Sequence, residues 1–174
     1  MIGKDAFEGC TGLTTLSVPF IGKSAVSNTD KLYSTDYSDR TLGYWFGINT
    51  TYSNAYQSNT NVVPESLKTV IVTGNQAVAP YAFYGCKNIT SIVLNEGITG
   101  IRQYAFYNCT GITELIVPST VTLIENYTFA YIKIETITFN GTMEQWNSIS
   151  KQTDWNKNSS ITQIICTDGT ITLS

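Results

Sequence analysis

Residues 81–94, YAFYGCKNITSIVL, and residues 104–117, YAFYNCTGITELIV, are two copies of one unit. Both carry Ala-Phe-x-x-Cys, which also stands at Ala6-Phe7 with Cys10 and returns as Thr128-Phe129 with Ile132 in the Cys slot. Phe83, Phe106 and Phe129 fall 23 residues apart. After each motif comes an apolar-x-x-apolar-x-apolar hexad. The copies are Leu13/Leu16/Val18, Leu67/Val70/Val72, Ile89/Ile92/Leu94, Ile112/Leu115/Val117 and Ile134/Ile137/Phe139, with Ile161/Ile164/Cys166 following after a longer gap. An apolar residue also stands five positions before each Phe, at Ile2, Val78, Ile101 and Ile124.

Such a pattern specifies a solenoid. Alternation at the end of each hexad, with β-branched residues between, predicts a short strand with one buried face. A 23-residue period lies in the leucine-rich-repeat range, where each unit adds one strand to a parallel sheet and returns through a turn or 3-10 segment. The expected fold is a right-handed, β-rich, single-sheet solenoid in the α/β leucine-rich-repeat class. The Phe residues plug the return side, and Gly9, Gly85, Gly97, Gly100, Gly111, Pro19 and Pro118 mark turns.

Composition narrows the chemistry. Charged residues make up 13% of the 174, about half the usual globular share, and the net charge is −3. That balance supplies no cationic surface for a phosphate backbone, so nucleic acid is not an expected partner. Histidine is absent, which removes Ser-His-Asp and Cys-His sites and the commonest zinc ligand. No apolar run approaches the roughly 20 residues that span a bilayer. Phosphate-binding glycine loops, nucleophile elbows and zincin motifs are also missing. The expectation is a chain that is not an enzyme, has no cofactor or metal site and does not insert into a membrane.

The strings IGKDAFEGCTGLTTLSVP, YAFYGCKNITSIVL and ITGIRQYAFYNCTGITELIVPSTVTLI resemble the BspA-like leucine-rich repeats of bacterial cell-surface proteins. The resemblance covers residues 2–18 and 67–139, with Thr73 and Asn95 standing where the family has a turn proline. It implies an extracellular or cell-surface setting and adhesion to a host or neighbouring-cell surface protein or a matrix component. A glycan is a further partner class, and a structural spacer in a longer surface protein is the competing role. Because Met1-Ile2 enters partway through a unit, the chain is expected to be a fragment of a longer protein whose preceding part holds the signal sequence.

The organisation expected is a solenoid over 1–139 and a C-terminal cap over 140–174. Leu13 and Leu67 lie 54 residues apart, so an insertion over about 19–64 separates the first two repeats. From Thr41 to Pro64 it has no charge, and it concentrates Tyr33, Tyr37, Tyr44, Trp45, Phe46, Tyr52 and Tyr56. In the cap, Thr142 and Gln145 match a capping box opening a short helix to about Ile149, with Met143, Trp146 and Ile149 on one face. Ile161–Cys166 and Thr170–Leu173 read as a closing hairpin.

Candidate sites follow from this frame. Cys10, Cys86 and Cys109 occupy equivalent slots, close enough in a parallel stack for a disulfide. Ile132 in the same slot favours free, buried thiols instead. Asp30, Asp36 and Asp39 are the one acidic cluster, and they read as solvated loop charges rather than a calcium site. Two surfaces remain for binding. The outward sheet face carries one column through Thr69, Ser91 and Glu114 and a second, β-branched column through Ile71, Val93 and Ile116. The insertion offers Tyr44, Tyr52 and Tyr56 in a Ser/Asn/Thr background, as a paratope does, and is expected to carry more of the binding energy than the sheet face because hot spots favour Tyr. Trp45 and Phe46 are expected to pack inward.

Overall fold

The computed structural model describes residues 1–30, 38–47, 59 and 62–173. The strands are β1 (Thr15–Val18), β2 (Thr69–Val72), β3 (Ala77–Val78), β4 (Ser91–Leu94), β5 (Gly100–Ile101) and β6 (Glu114–Val117). They continue with β7 (Leu123–Ile124), β8 (Thr136–Phe139), β9 (Ser150–Lys151), β10 (Gln163–Cys166) and β11 (Gly169–Thr172). One short helix, α1 (Met143–Ser148), precedes β9.

Two sheets form, not the single sheet expected. The larger has the order β1-β2-β4-β6-β8-β10-β11, parallel throughout except for the last pair. Its register stacks equivalent hexad residues, Leu16 on Val70, Val70 on Ile92 and Ile92 on Leu115. In the smaller, β3-β5-β7-β9, the first three strands come from the apolar positions upstream of Phe83, Phe106 and Phe129, and Ser150–Lys151 supplies the fourth. Two residues per strand are too short for a periodicity to register in the sequence. Gly100, expected in a turn, sits in β5 and accommodates Asn28: a Cβ there would collide with the Asn28 side-chain amide.

Between the sheets the core is one stack per column. Phe83 and Phe106 lie 5.2 Å apart at 8°, and Phe106 and Phe129 lie 5.4 Å apart at 18°. All three are fully buried. Backbone rungs tie the turns that carry them: Phe83 N–H donates to Ala105 O at 2.8 Å and Phe106 N–H to Thr128 O at 2.9 Å.

The same rungs run through the insertion. Phe7 N–H donates to Trp45 O at 2.7 Å, and Leu42 N–H donates to Ala82 O at 2.8 Å. The 3-10 segment Leu42–Trp45 therefore supplies the return turn of the second repeat. Trp45 and Phe46 are buried, as expected, and Trp45 meets Phe7 edge-on at 5.9 Å. Asn59 is buried beside this turn. Its carbonyl accepts from Gly43 N–H and its amide donates to Tyr84 O at 3.0 Å, so a polar side chain bridges repeats two and three.

The C-terminal segment both extends and closes the stack. β9 pairs with β7 and β10 with β8, so both sheets run past residue 139. Phe129 N–H donates to Trp155 O at 2.7 Å, the same rung that Trp45 completes at the other end. The Thr142–Gln145 capping box forms with both reciprocal bonds. Trp146 is buried against Phe139 at 5.3 Å and Trp155 at 5.9 Å, and β10–β11 is the expected hairpin.

All four cysteines are free, with Cys86, Cys109 and Cys166 buried. Cys10 corrects the buried-ladder expectation. It is exposed, because the first layer has a neighbour on one side only among the described residues, and it lines a cavity of about 330 Å³ with Phe7, Phe46 and Val63. Burial pushes the Cys86 and Cys109 thiols up, Cys109 to about 12.

Two outcomes test this packing. Phe106→Ala in the central layer should cost about 3–5 kcal/mol in a denaturant melt, and a loss below about 1 kcal/mol would refute the stack. In the native protein Cys10 should react with a thiol reagent at once, and Cys86 and Cys109 only on unfolding. Because an unfolded thiol ionises near about 8.5, the unfolded state sheds these protons first. The stability the two thiols contribute is therefore full below that pH and is lost as pH rises toward about 12. The alkaline loss should be shallower in Cys86→Ala/Cys109→Ala.

Candidate functional site

The outward face of the larger sheet is where the register collects the predicted columns. Thr69 pairs with Ser91 and Ser91 with Glu114 in one row; Ile71 pairs with Val93 and Val93 with Ile116 in the next. Strand alternation turns these side chains away from the core while Val70, Ile92 and Leu115 are buried. Thr69, Ser91, Ile71, Val93 and Ile116 are half-buried by their own stacking, and Glu114 is exposed. The Ser91 hydroxyl donates to the Glu114 carboxylate at 3.1 Å. The apolar row is broken by Thr138 and resumes at Ile165, which is 45% exposed. Beside it, Val93, Asn95, Glu96, Ile116 and Asn140 line an open depression of about 470 Å³. The structure thus brings six of the nine predicted site residues into one surface.

The remaining three were placed on the insertion. Tyr44 is half-buried against the core, and its carbonyl accepts from Asp5 N–H, so it belongs to the second repeat's turn. Tyr52 and Tyr56 lie outside the described residues, as do Tyr33, Tyr37 and Asp36. The other two acids of the predicted cluster have ordinary loop roles. Asp30 caps Ser27, whose backbone N–H and hydroxyl hold its carboxyl below the usual range, and Asp39 lies 3.9 Å from Arg40.

The insertion is anchored by a buried ion pair. Arg102 Nε donates to Glu125 Oε1 at 2.8 Å, while its two other nitrogens reach Ser27 O at 2.5 Å and Asp30 O at 3.2 Å. Asn28 adds an amide bond to Thr99 O at 3.0 Å, and Val26 bridges Ala77. Residues 26–30 form a strap across the smaller sheet, held by the Arg102 guanidinium together with the Asn28 and Val26 contacts. Nothing in the sequence marks Arg102 for this, because its partners lie 72 and 75 residues away.

Sequence reasoning also passed over the tyrosines flanking the Ala-Phe pairs. Tyr81, Tyr104 and Tyr127 stack at 4.9 and 5.1 Å, and Tyr84 stacks on Tyr107 at 4.8 Å. Their 23-residue spacing, the same as that of the phenylalanines, is the sequence signal that marks them.

Removing Arg102 leaves the part-buried Glu125 carboxylate and the Ser27 and Asp30 carbonyls without their guanidinium donor. Arg102→Met should therefore cost about 3–5 kcal/mol and speed proteolysis within 26–30. Arg102→Met/Glu125→Gln should recover much of the stability loss but not the protease resistance. Equal destabilisation of the double variant in urea melts would count against an ion-pair origin.

Among the described residues no group of three His, Cys, Asp or Glu side chains converges for a metal, and no helix is long and apolar enough to cross a membrane. No curated protein and no solved structure matches the chain. A family model described as the BspA type leucine rich repeat region matches in six copies over residues 1–70 and 76–173. Six copies agree in number with the six parallel strands of the larger sheet, and the matched ranges include the C-terminal segment. The chain belongs to the BspA-type leucine-rich repeat family.

Proposed function

We propose that this domain is a non-catalytic protein-binding module of a bacterial surface protein, acting in adhesion, and that the outward face of the larger sheet is its contact surface. The family is one of bacterial surface proteins often implicated in adhesion, and leucine-rich repeat domains generally bind proteins. The observation that carries the assignment to this face is the row Ile71–Val93–Ile116. It is an ordered apolar strip, bordered by the polar row Thr69–Ser91–Glu114.

An interface of this kind places apolar contact at the centre and hydrogen bonding at the rim. Strand side chains held by their neighbours also lose little rotamer freedom on docking, which lowers the entropic cost of association. Because the strip is uncharged and the bordering row carries the single carboxylate Glu114, binding there should depend weakly on salt.

The reading is tested by probing the domain against an array of extracellular-matrix proteins and glycans, then repeating any hit with variants. Ile116→Asp should weaken binding roughly tenfold or more, and Glu114→Lys by less, with melting curves near those of the parent. Loss of binding in Tyr52→Ala and Tyr56→Ala with no effect at Ile116 would move the contact to the insertion. No binding to any array member would favour the spacer role.

A further inference from the structure

We propose that Asn140-Gly141 is a site of spontaneous modification, where the chain converts Asn140 to aspartate and isoaspartate and so charges the depression beside the apolar strip. The reaction itself stands apart from the sheet-face reading. Only its consequence for docking rests on that reading.

Asn140 is followed by glycine, and no other asparagine in the chain is. Asparagine is thermolabile because the backbone nitrogen of the next residue can attack its side-chain amide. A side chain on that next residue obstructs the approach, and glycine has none. Packing fixes the glycine: Gly141 is buried, and a Cβ there would collide with the Gln145 side-chain amide and the Phe139 ring. Nothing comparable fixes the asparagine. The residues that follow β2, β4, β6 and β10 are Thr73, Asn95, Pro118 and Thr167, so the position does not require an amide.

Both reacting groups are available. Asn140 is exposed, and its side-chain amide makes no hydrogen bond among the described residues. The Gly141 N–H likewise donates to no acceptor among them, although the groups around it are engaged. Asn140 N–H donates to Val117 O at 2.9 Å, and Gly141 O accepts from Thr167 N–H at 2.9 Å. Elsewhere the amides are held: those of Asn59, Asn88 and Asn158 donate to Tyr84 O, Pro64 O and the Tyr131 hydroxyl.

The step balances with water as the only co-reactant. The Gly141 backbone nitrogen loses its proton and bonds to the Asn140 Cγ. The Cγ–Nδ2 bond then breaks, and ammonia leaves with the proton. Water opens the resulting succinimide at either carbonyl. Opening at Cγ gives aspartate, and opening at the backbone carbonyl gives isoaspartate, with the main chain routed through Cγ.

Each product acts on its surroundings. Asn140 lines the depression with Val93, Glu96 and Ile116, so either acid adds a second carboxylate there. Glu96 already takes the Ser119 N–H and hydroxyl at 3.1 and 2.9 Å. Isoaspartate also adds a methylene to the main chain between two anchored points, the Val117 bond and the Thr142 capping box of α1. The packed Gly141 corner has no room for it, so α1 and its Trp146 contact with Phe139 loosen. Where the sheet face is the contact surface, the new charge weakens docking as the protein ages.

The test incubates the whole chain at neutral and at mildly alkaline pH, with peptide mapping by mass spectrometry and isoaspartyl-specific methylation as readouts. Asn140 should convert ahead of every other asparagine, and faster at the higher pH because the attacking nitrogen must lose its proton. The Val93 and Ile116 methyl signals should shift as the acid forms. Asn140→Gln, which would need a larger ring, should stay unmodified. Asn140→Asp should keep the parent melting curve, while the isoaspartyl fraction melts earlier. The proposal is overturned if Asn140 converts only in urea, if another asparagine leads, or if Val93 and Ile116 do not respond. Against a matrix protein retained by the array, Asn140→Asp should bind roughly threefold or more weakly than the parent and Asn140→Gln should bind like it. Equal binding by all three would overturn the docking consequence and count against the sheet-face reading, while the mass map alone decides the chemistry at Asn140.

Discussion

Parallel, in-register stacking at one layer every 4.7–4.9 Å is the constraint on which the rest of this structure depends. It puts each side chain directly against its own counterpart in the next repeat, as with Ile92 on Leu115 and Phe106 on Phe129. Residues that pack well against copies of themselves are favoured in every column. Phenylalanine inside, tyrosine on the turns and β-branched residues along the strands all satisfy that condition. Like charges do not, because one carboxylate would sit over another.

The low charge content follows from the same constraint. Where an acid does occur, the adjoining layer offers a donor instead of a second acid. Glu114 takes the Ser91 hydroxyl, Glu96 takes the Ser119 hydroxyl and backbone N–H, and Glu125 takes Arg102 and the Gln103 N–H. Threonine serves in a similar way at the corners, where Thr113 and Thr122 hydroxyls donate to carbonyls of the layer before. Each bond is modest alone, but the repeat multiplies it and leaves few buried polar groups unmatched.

Departures from the constraint mark where the fold changes purpose. At Trp45 and Trp155 an indole takes the place that alanine has in the central turns, and each meets the neighbouring phenylalanine edge-on at 86°. A T-shaped contact ends a column of parallel rings, so the plain stack is confined to the central repeats. The antiparallel β11 likewise ends the parallel order at the C-terminal edge, with α1 and Trp146 covering the core beside it. The larger sheet presents a periodic aliphatic row on its outward face, and tyrosines stack in register along the turns. A repeat protein of this kind presents extended, regular surfaces rather than a single pocket.

Much of this was legible in the sequence because a solenoid writes its contacts locally. The hexads predicted β1, β2, β4, β6, β8 and β10, and the Ala-Phe spacing predicted the phenylalanine column, since neighbours in space are one period apart in the chain. The capping box before α1 and the closing hairpin were readable for the same reason. Contacts that ignore the period could be found only in three dimensions. The strap under Arg102 joins residues 72 and 75 apart, and the turn at Leu42–Trp45 joins the ladder without an Ala-Phe motif to announce it. Exposure was also beyond the sequence at the ends: Cys10 matches Cys86 and Cys109 in motif, yet only Cys10 lacks a layer to cover it. Periodicity determines what each residue stacks on, whereas the tertiary structure decides which columns are closed over and which face solvent.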